Sequence, residues 1–396
     1  MRFAHIADTH LGYRQYNLDE REEDFYSAFH EAVDKIIGAK VDFVVHVGDL
    51  FEEPRPPVRA MVEVRNALDK LDEEDIPVFA IAGNHDILMR RGAVPPQKLY
   101  KDIEFLTINE PWREFDGIFI GGLPYHSKIH INALKERLKT ITKEAEGYEK
   151  KILMLHQGIK KYFPLEFELT LEDVPKGFDY YALGHLHMRI VDDLLGGKLV
   201  YPGSTEIWRI DELKDYEMNG KGFYVVDAED FDLERFDLED IRPFVRREVT
   251  SEDLKIREIE EALRDEKKPV VNLTVISDIH DYPWVYQKLV DELKGALYLD
   301  IKRRWTAEGE EVFSDRIINI RELIDDAMND YSTMERDYAY TVFKSLSSGN
   351  LDEALAVTEE FYKVWREEGE KEREIVRLEA QKKVEKPDQS TLEVFR

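Results

Sequence analysis

The sequence predicts a layered α/β protein, followed by a smaller α/β unit and a helical C-terminal stretch. Three observations predict it. Short apolar runs alternate with amphipathic helical patterns through residues 1–200, as in sheets covered by helices. The alternation restarts on a smaller scale between about 240 and 305. Beyond residue 312 the strand pattern stops, and apolar residues recur at helical spacing, among them Val312, Phe313, Ile317, Ile318, Leu323, Ile324 and Met328.

Each element has a local reason. FAHIA (3–7), DFVVHVGD (42–49) and PVFAIAGNHD (77–86) begin as continuous apolar runs, as expected of strands covered on both faces. Between them, REEDFYSAFHEAVDKIIG (21–38) and PVRAMVEVRNALDKLDEE (57–74) carry helical apolar stripes, the second with Pro57 at its first turn. Further strands are expected at IFIGGL (118–123), KILMLHQG (151–158) and DYYALGH (179–185), and residues 196–248 read mostly as strands. The smaller unit reads as helix 251–265, strand 269–277, helix 284–295 and strand 296–304. Two long helices then run to about 383, parted near SLSSGN (345–350), before a short polar tail.

At 396 residues the chain exceeds one ordinary core, so two or three domains are expected. The absence of cysteine excludes disulfides, thiolate zinc sites and cysteine nucleophiles. MRFAHIAD at the start reads as a strand, not a signal peptide, and no apolar run approaches a membrane span. The net charge of −28 opposes nonspecific attraction to nucleic acid. It does not exclude a nucleic-acid enzyme that works through metals and a few local cations.

The chemistry lies at the strand ends. The first strand runs into Asp8-Thr9-His10, the second into Gly48-Asp49 and the third into Gly83-Asn84-His85-Asp86. Two later strands run into His156-Gln157-Gly158 and Gly184-His185-Leu186-His187. In α/β sheets ligands gather outside the carboxyl ends of strands. These oxygen and nitrogen donors suit manganese, iron, magnesium or zinc. Two metals about 3.5–4 Å apart can clamp a phosphate and activate a water between them. Asp49 is the natural bridging carboxylate. Asp8, His10 and one of His185 and His187 would complete one metal; Asn84, His156 and the other histidine would complete the second. The remaining histidines, 5, 30, 46, 126, 130 and 280, read as structural or surface residues.

Together with the wording HIADTHLGYRQYNLDEREEDF, GDLFEEPRPP, IAGNHD, MLHQG and YYALGHLHMR, these motifs resemble the calcineurin-like metallophosphoesterases. Within them they resemble the archaeal meiotic-recombination-eleven (SbcD-like) nucleases of double-strand-break repair. The resemblance implies a calcineurin-like metallophosphoesterase sandwich at 1–240, a DNA-binding cap at 241–305, a helical ATPase-binding region at 306–385 and a flexible tail at 386–396. It implies two Mn²⁺ per subunit, with Mg²⁺, Fe²⁺ or Zn²⁺ as alternatives. Asp8, His10, Asp49 and His187 would hold one ion; Asp49, Asn84, His156 and His185 would hold the other. His85 would act at the scissile phosphate, and Asp86 would orient it. The implied activity is 3′-to-5′ exonuclease and single-strand endonuclease on DNA, by a cytoplasmic, nucleoid-associated homodimer partnered by an SbcC/Rad-type ABC ATPase. One departure stands out: where some members carry a histidine after Leu50-Phe51, this chain has Glu52, which bears on the geometry of exonucleolytic attack.

Tyr13, Arg14, Arg55, Arg90 and Arg91 are candidate DNA contacts beside the motifs. Gln389, Leu392 and Phe395 in the tail resemble a sliding-clamp (PCNA) binding motif. Two rival readings fit the sequence less well. A protein phosphatase of the same superfamily lacks support, because Leu50-Phe51-Glu52-Glu53-Pro54 follows Asp49 where GDxxDRG would supply an arginine. A non-catalytic scaffold for the ATPase is disfavoured by the intact ligand set.

Overall fold

The computed structural model describes residues 1–88, 94–164, 167–194, 196–251, 254, 257–277, 281–305, 328, 333–347, 355, 357–358 and 361–362. Arg90, Arg91, the tail residues Gln389, Leu392 and Phe395, and most of the expected ATPase-binding stretch lie outside these. The chain divides into two compact units, Met1–Arg304 and Trp305–Arg396.

In the first unit the elements run β1 (Arg2–Ile6), α1 (Asp19–Gly38), β2 (Phe43–Val47), α2 (Val58–Glu73), β3 (Val78–Ile81), β4 (Ile103–Phe105), β5 (Trp112–Phe115), β6 (Ile118–Leu123), α3 (Ile131–Glu144), β7 (Lys150–His156) and β8 (Tyr180–Gly184). They continue as β9 (Ile190–Leu194), β10 (Gly197–Tyr201), α4 (Leu213–Asn219), β11 (Gly222–Asp227), β12 (Leu233–Asp237), β13 (Phe244–Thr250), α5 (Arg257–Ala262), β14 (Val270–Ser277), α6 (Tyr282–Glu292) and β15 (Tyr298–Trp305). In the second unit α7 (Thr333–Ser347) is described, with Tyr338 stacked on Phe361.

Two six-stranded sheets form the body, in the orders β12-β11-β1-β2-β3-β4 and β5-β6-β7-β8-β10-β9. β1, β2, β3 and β4 are parallel, as are β6, β7 and β8. Phe3, Phe43, Phe79 and Ile81 of one sheet share a buried core with Ile120, Ile152, Met154 and Tyr180 of the other. The opposite face of the first sheet packs Ala4, Ile6 and Val44 on Phe29, Val33 and Ile36 of α1 and Val64 and Leu68 of α2. The opposite face of the second packs Leu153 and Leu155 on Leu134, Leu138 and Ile141 of α3. Every central strand is therefore covered twice, which is why its sequence is apolar without alternation. The result is helix, sheet, sheet, helix: the layered sandwich expected from the sequence.

A third sheet, β13-β14-β15, has its own core of Val249, Leu273, Val275, Val285 and Leu289. The helix expected over 251–265 is described only as α5, and the stretch read as strands at 196–248 contains α4.

Candidate metal centre

Parallel strands point their carboxyl ends the same way. β1, β2, β3, β7 and β8 therefore deliver their following loops to one edge of the sandwich. The turns there are tight. Asp8, His10 and Asp49 adopt left-handed backbone at φ 53°, 47° and 51°, and His185 stands at φ 89°. Such conformations are costly for residues with a Cβ and concentrate where a site holds side chains in place. Gly48 turns at φ 85°, and a Cβ there would fall 2.3 Å from His156 Nδ1. A Cβ on Gly83 would fall 2.1 Å from Asp49 Oδ1. The glycines of both motifs thus make room for ligand side chains.

The loops bring two groups of donors together: Asp8, His10 and His187, and Asp49, His156 and His185, each with ligand atoms within 4.8 Å of one another. Asp49 Oδ2 lies 3.1 Å from His156 Nε2 and 3.9 Å from His10 Nε2, so it faces both groups. Asn84 Oδ1 lies 3.1 Å from His156 Nε2 and 2.9 Å from His185 Nδ1. Asp8 accepts the His185 backbone N–H at 3.0 Å, which ties the two loops. His10, Glu52 and His85 also cluster; there the imidazoles turn Nδ1, not Nε2, toward Glu52.

The donors fit divalent cations on internal evidence. His10 Nε2 and His187 Nε2 are 3.1 Å apart. The Nδ1 of His10 lies 2.7 Å from Glu52 Oε2, and that of His187 lies 2.8 Å from Glu212 Oε1. A carboxylate can only accept, so each Nδ1 carries a proton, and in the neutral ring each Nε2 carries a lone pair. The two Nε2 atoms face each other beside buried carboxylates, where a divalent cation could take the place of the proton that one of them otherwise holds.

The electrostatics agree. Burial pushes the Asp8 carboxyl above its ordinary range, with His156 and His187 opposing. Burial also acts on Asp49, but His156, His10 and His85 overcome it and hold this carboxyl well below its usual range. Burial lowers His156, but Asp49 and Asp8 outweigh it and hold the imidazole at about 9. Burial lowers His185 to about 3, keeping it neutral. Glu212 stays ionised: burial raises it, yet Lys221 and His187 bring it to about 2.

The calcineurin-like phosphoesterase family profile matches residues 1–189. The DNA double-strand break repair protein Mre11 of Methanocaldococcus jannaschii is 40% identical over 354 residues, 87% of this chain and 94% of that protein. Mre11 of Methanococcus maripaludis is 36% identical over 378 residues, covering 91% and 99%. Mre11 of Thermoplasma acidophilum is 40% identical over 294 residues, covering 69% and 77%. The chain belongs to the Mre11 family.

In this Mre11-family chain the other sequence-predicted residues are placed unevenly. His85 donates its backbone N–H to Asp49 Oδ1 at 2.8 Å and its Nδ1–H to the Glu52 carbonyl at 2.9 Å. Asp86, expected to orient the His85 ring, does something else. Its carboxylate accepts from the backbone N–H groups of Gly83, Leu50 and Phe51 at 2.9, 3.3 and 3.0 Å, pinning the Asp49 loop to the Asn84 loop. The reason is geometric: the buried carboxylate meets the Gly83 amide of its own turn and the Leu50 and Phe51 amides of the loop after β2 before it can reach the His85 ring. Tyr13 packs its ring on Phe25 and Trp208. Arg14 is tied to Asp19 at 2.7 Å and Asn17 at 2.9 Å. Arg55 is exposed on the loop after β2. His5 and His46 are core residues, both lowered to about 3 by burial.

Sequence reasoning missed Trp208, Glu212 and Lys221. Trp208 stacks on His10 and stands edge-on to His85 and His187. Lys221 Nζ donates to Glu212 Oε2 at 2.7 Å and to the His187 carbonyl at 3.0 Å. No motif marks these residues. The expectation of a carboxylate behind a ligand histidine points to Glu212 alone.

Proposed function

We propose that the chain is a metal-dependent DNA nuclease of double-strand-break repair that hydrolyses phosphodiester bonds. The observation that carries this reading is the convergence of two donor groups about Asp49, in a chain of the Mre11 family. Asp8, His10, Asp49 and His187 would hold one divalent ion, and Asp49, Asn84, His156 and His185 the other; Mn²⁺ is the first choice and Mg²⁺, Fe²⁺ or Zn²⁺ the alternatives. Ions held there would supply Lewis-acid stabilisation of phosphoryl oxygens and a water of lowered pKa. His85 is held at Nδ1, and its Nε2 has no protein partner among the described contacts. In its imidazolium form it could donate from Nε2 to the phosphate or the departing oxygen. Asp86 keeps the Asp49 and Asn84 loops together.

The finer reading is a 3′-to-5′ exonuclease and single-strand endonuclease. Residues 1–240 form the nuclease body, 241–305 a DNA-binding cap, 306–385 the dock for an SbcC/Rad-type ABC ATPase and 386–396 a tail. Tyr13, Arg14, Arg55, Arg90 and Arg91 contact DNA, and for Arg14 this means exchanging Asp19 for a phosphate. Gln389, Leu392 and Phe395 engage a PCNA-type clamp. The chain acts as a cytoplasmic, nucleoid-associated homodimer; Val58 and Val62, exposed on α2, support the homodimer part of this reading. Among the described residues no helix is long and apolar enough to cross a membrane.

The test is cleavage of labelled single-stranded DNA and 3′-ended duplex with Mn²⁺, with EDTA, and by His85→Ala. Cutting that needs Mn²⁺ and falls at least about a hundredfold in His85→Ala, with Mn²⁺ still bound, is expected. No cutting by a Mn²⁺-loaded wild type would overturn the reading.

A further inference from the structure

The site histidines differ in what stands behind them. His156 turns Nδ1 to the Val47 carbonyl at 2.8 Å. His187 turns it to Glu212, which Lys221 holds in place. His10 turns it to Glu52 Oε2 at 2.7 Å. Glu52 lies close to His10 through a short chain of contacts. Its backbone N–H donates to the Leu11 carbonyl at 3.1 Å, and its side chain is 15% exposed. The same Oε2 also accepts the Trp208 indole N–H at 3.0 Å. The indole ring in turn stacks on the His10 imidazole, centroids 5.4 Å apart. One carboxylate oxygen and one aromatic plane thus fix the imidazole in rotation and in tautomer.

We propose that Glu52 is a positioning residue for metal binding: its carboxylate, braced by Trp208, holds His10 with the Nε2 lone pair toward the metal site. The proposal rests on the metal-centre reading above. Its physical basis is that a hydrogen-bond acceptor behind an imidazole ligand fixes the tautomer and the ring orientation. His10 is fully buried. Without Glu52 its Nδ1–H would lose its acceptor inside the protein, and the ring would relieve that loss by turning or by moving its proton to Nε2. Either change removes the lone pair from the centre. Glutamine is the discriminating substitution, because one amide oxygen can accept from both His10 and Trp208 as Oε2 does. Glu52→Gln therefore keeps the orientation and drops only the charge.

The experiment is calorimetric titration of the full chain with Mn²⁺ for wild type, Glu52→Ala, Glu52→Gln and Trp208→Phe. Long-range ¹H–¹⁵N spectra of the zinc-loaded proteins report the His10 tautomer alongside. Glu52→Ala is expected to weaken Mn²⁺ binding about 10–100-fold and to lose the His10 Nδ1–H signature, with Glu52→Gln close to wild type. Wild-type Mn²⁺ affinity in Glu52→Ala with His10 still protonated at Nδ1 would overturn the proposal. So would a loss in Glu52→Gln as large as in Glu52→Ala, which would assign the effect to charge. If Glu52→Ala fails to fold, Trp208→Phe carries the test. It keeps an aromatic ring and removes the N–H that holds Oε2, and unchanged Mn²⁺ affinity and His10 signals there would sink the idea. A chain that cuts no DNA but loses Mn²⁺ affinity in Glu52→Ala would refute the nuclease reading and support this one.

Discussion

At the scale of single residues, the centre is built from conformations and charges that are unfavourable alone. Asp8, His10 and Asp49 sit in left-handed backbone, and Asp8 and Asp49 are buried side by side. His156 compensates by holding a proton against Asp49. The sign follows for metal binding. The metal-free protein is protonated at His156 up to about pH 9, and ligation needs the neutral imidazole. Mn²⁺ affinity should therefore rise about tenfold per pH unit from pH 6.5 and level off as pH passes about 9. Titrations at several pH values, in buffers of different ionisation enthalpy, will show a proton released when the ion that His156 would hold is bound; a flat profile would mean His156 is already neutral. The same scale explains what could be read in advance. Asp8, His10, Asp49, Asn84, His156, His185 and His187 each stand at the end of an apolar run, beside a glycine or another polar ligand, so their types and places were visible. The role of Asp86 was not visible, because its partners are the backbone amides of Leu50 and Phe51 in another loop.

At the scale of elements, the buried strands could be read because double coverage makes them uniformly apolar. α3 was passed over: Leu134, Leu138 and Ile141 are its buried apolar residues, spaced among lysines and glutamates. The short edge strands β4, β5 and β9 were passed over as well, since they lack a continuous apolar run. α2 raises a further question. Its buried stripe is Ala60, Val64, Ala67, Leu68 and Leu71, yet Val58 and Val62, one turn apart, are 76% and 49% exposed. Leu99 is exposed too, next to Tyr100, whose hydroxyl donates to the Met61 carbonyl. These exposed apolar residues on a charged surface are where the proposed homodimer would pack. Val62→Glu should convert the proposed homodimer to monomer in sedimentation equilibrium, with thermal unfolding of the monomer little changed. A dimer that survives the substitution would place the interface elsewhere.

At the scale of the whole first unit, a buried charge network joins the sandwich to the start of the third sheet. Asp24 on α1 accepts from Arg21 at 2.5 Å and from both Nε and Nη2 of Arg242 at 2.6 and 2.9 Å. Arg21 also reaches Glu206 at 3.3 Å, the Ile207 carbonyl at 3.0 Å and Gln15 at 2.7 Å, and Gln15 donates to the Trp208 carbonyl at 2.7 Å. Nearby, Tyr16 of the first-motif loop stacks on Tyr298 of β15 at 4.0 Å. The same residues thus hold the third sheet and support the indole beside His10. Asp24→Ala would leave Arg242 buried without its anion and Arg21 with Glu206 alone, and should cost about 3–5 kcal/mol in denaturant unfolding. A loss below about 1 kcal/mol would mean that water reaches the network.

The sequence by itself determined the layered α/β class, the central strands and the donor residues at their ends. These are local facts: an apolar run, a turn glycine and a metal-loving side chain lie within a few residues of each other. Only the tertiary structure decided which nitrogen of each histidine faces the centre, because the acceptors that fix it come from elsewhere in the chain. Glu52 stands behind His10, Glu212 behind His187 and the Val47 carbonyl behind His156. A tautomer is set by a hydrogen bond at less than about 3 Å; strand pairing within one sheet brings Glu52 to His10, and the two β-sheets must close on one another before Val47 reaches His156.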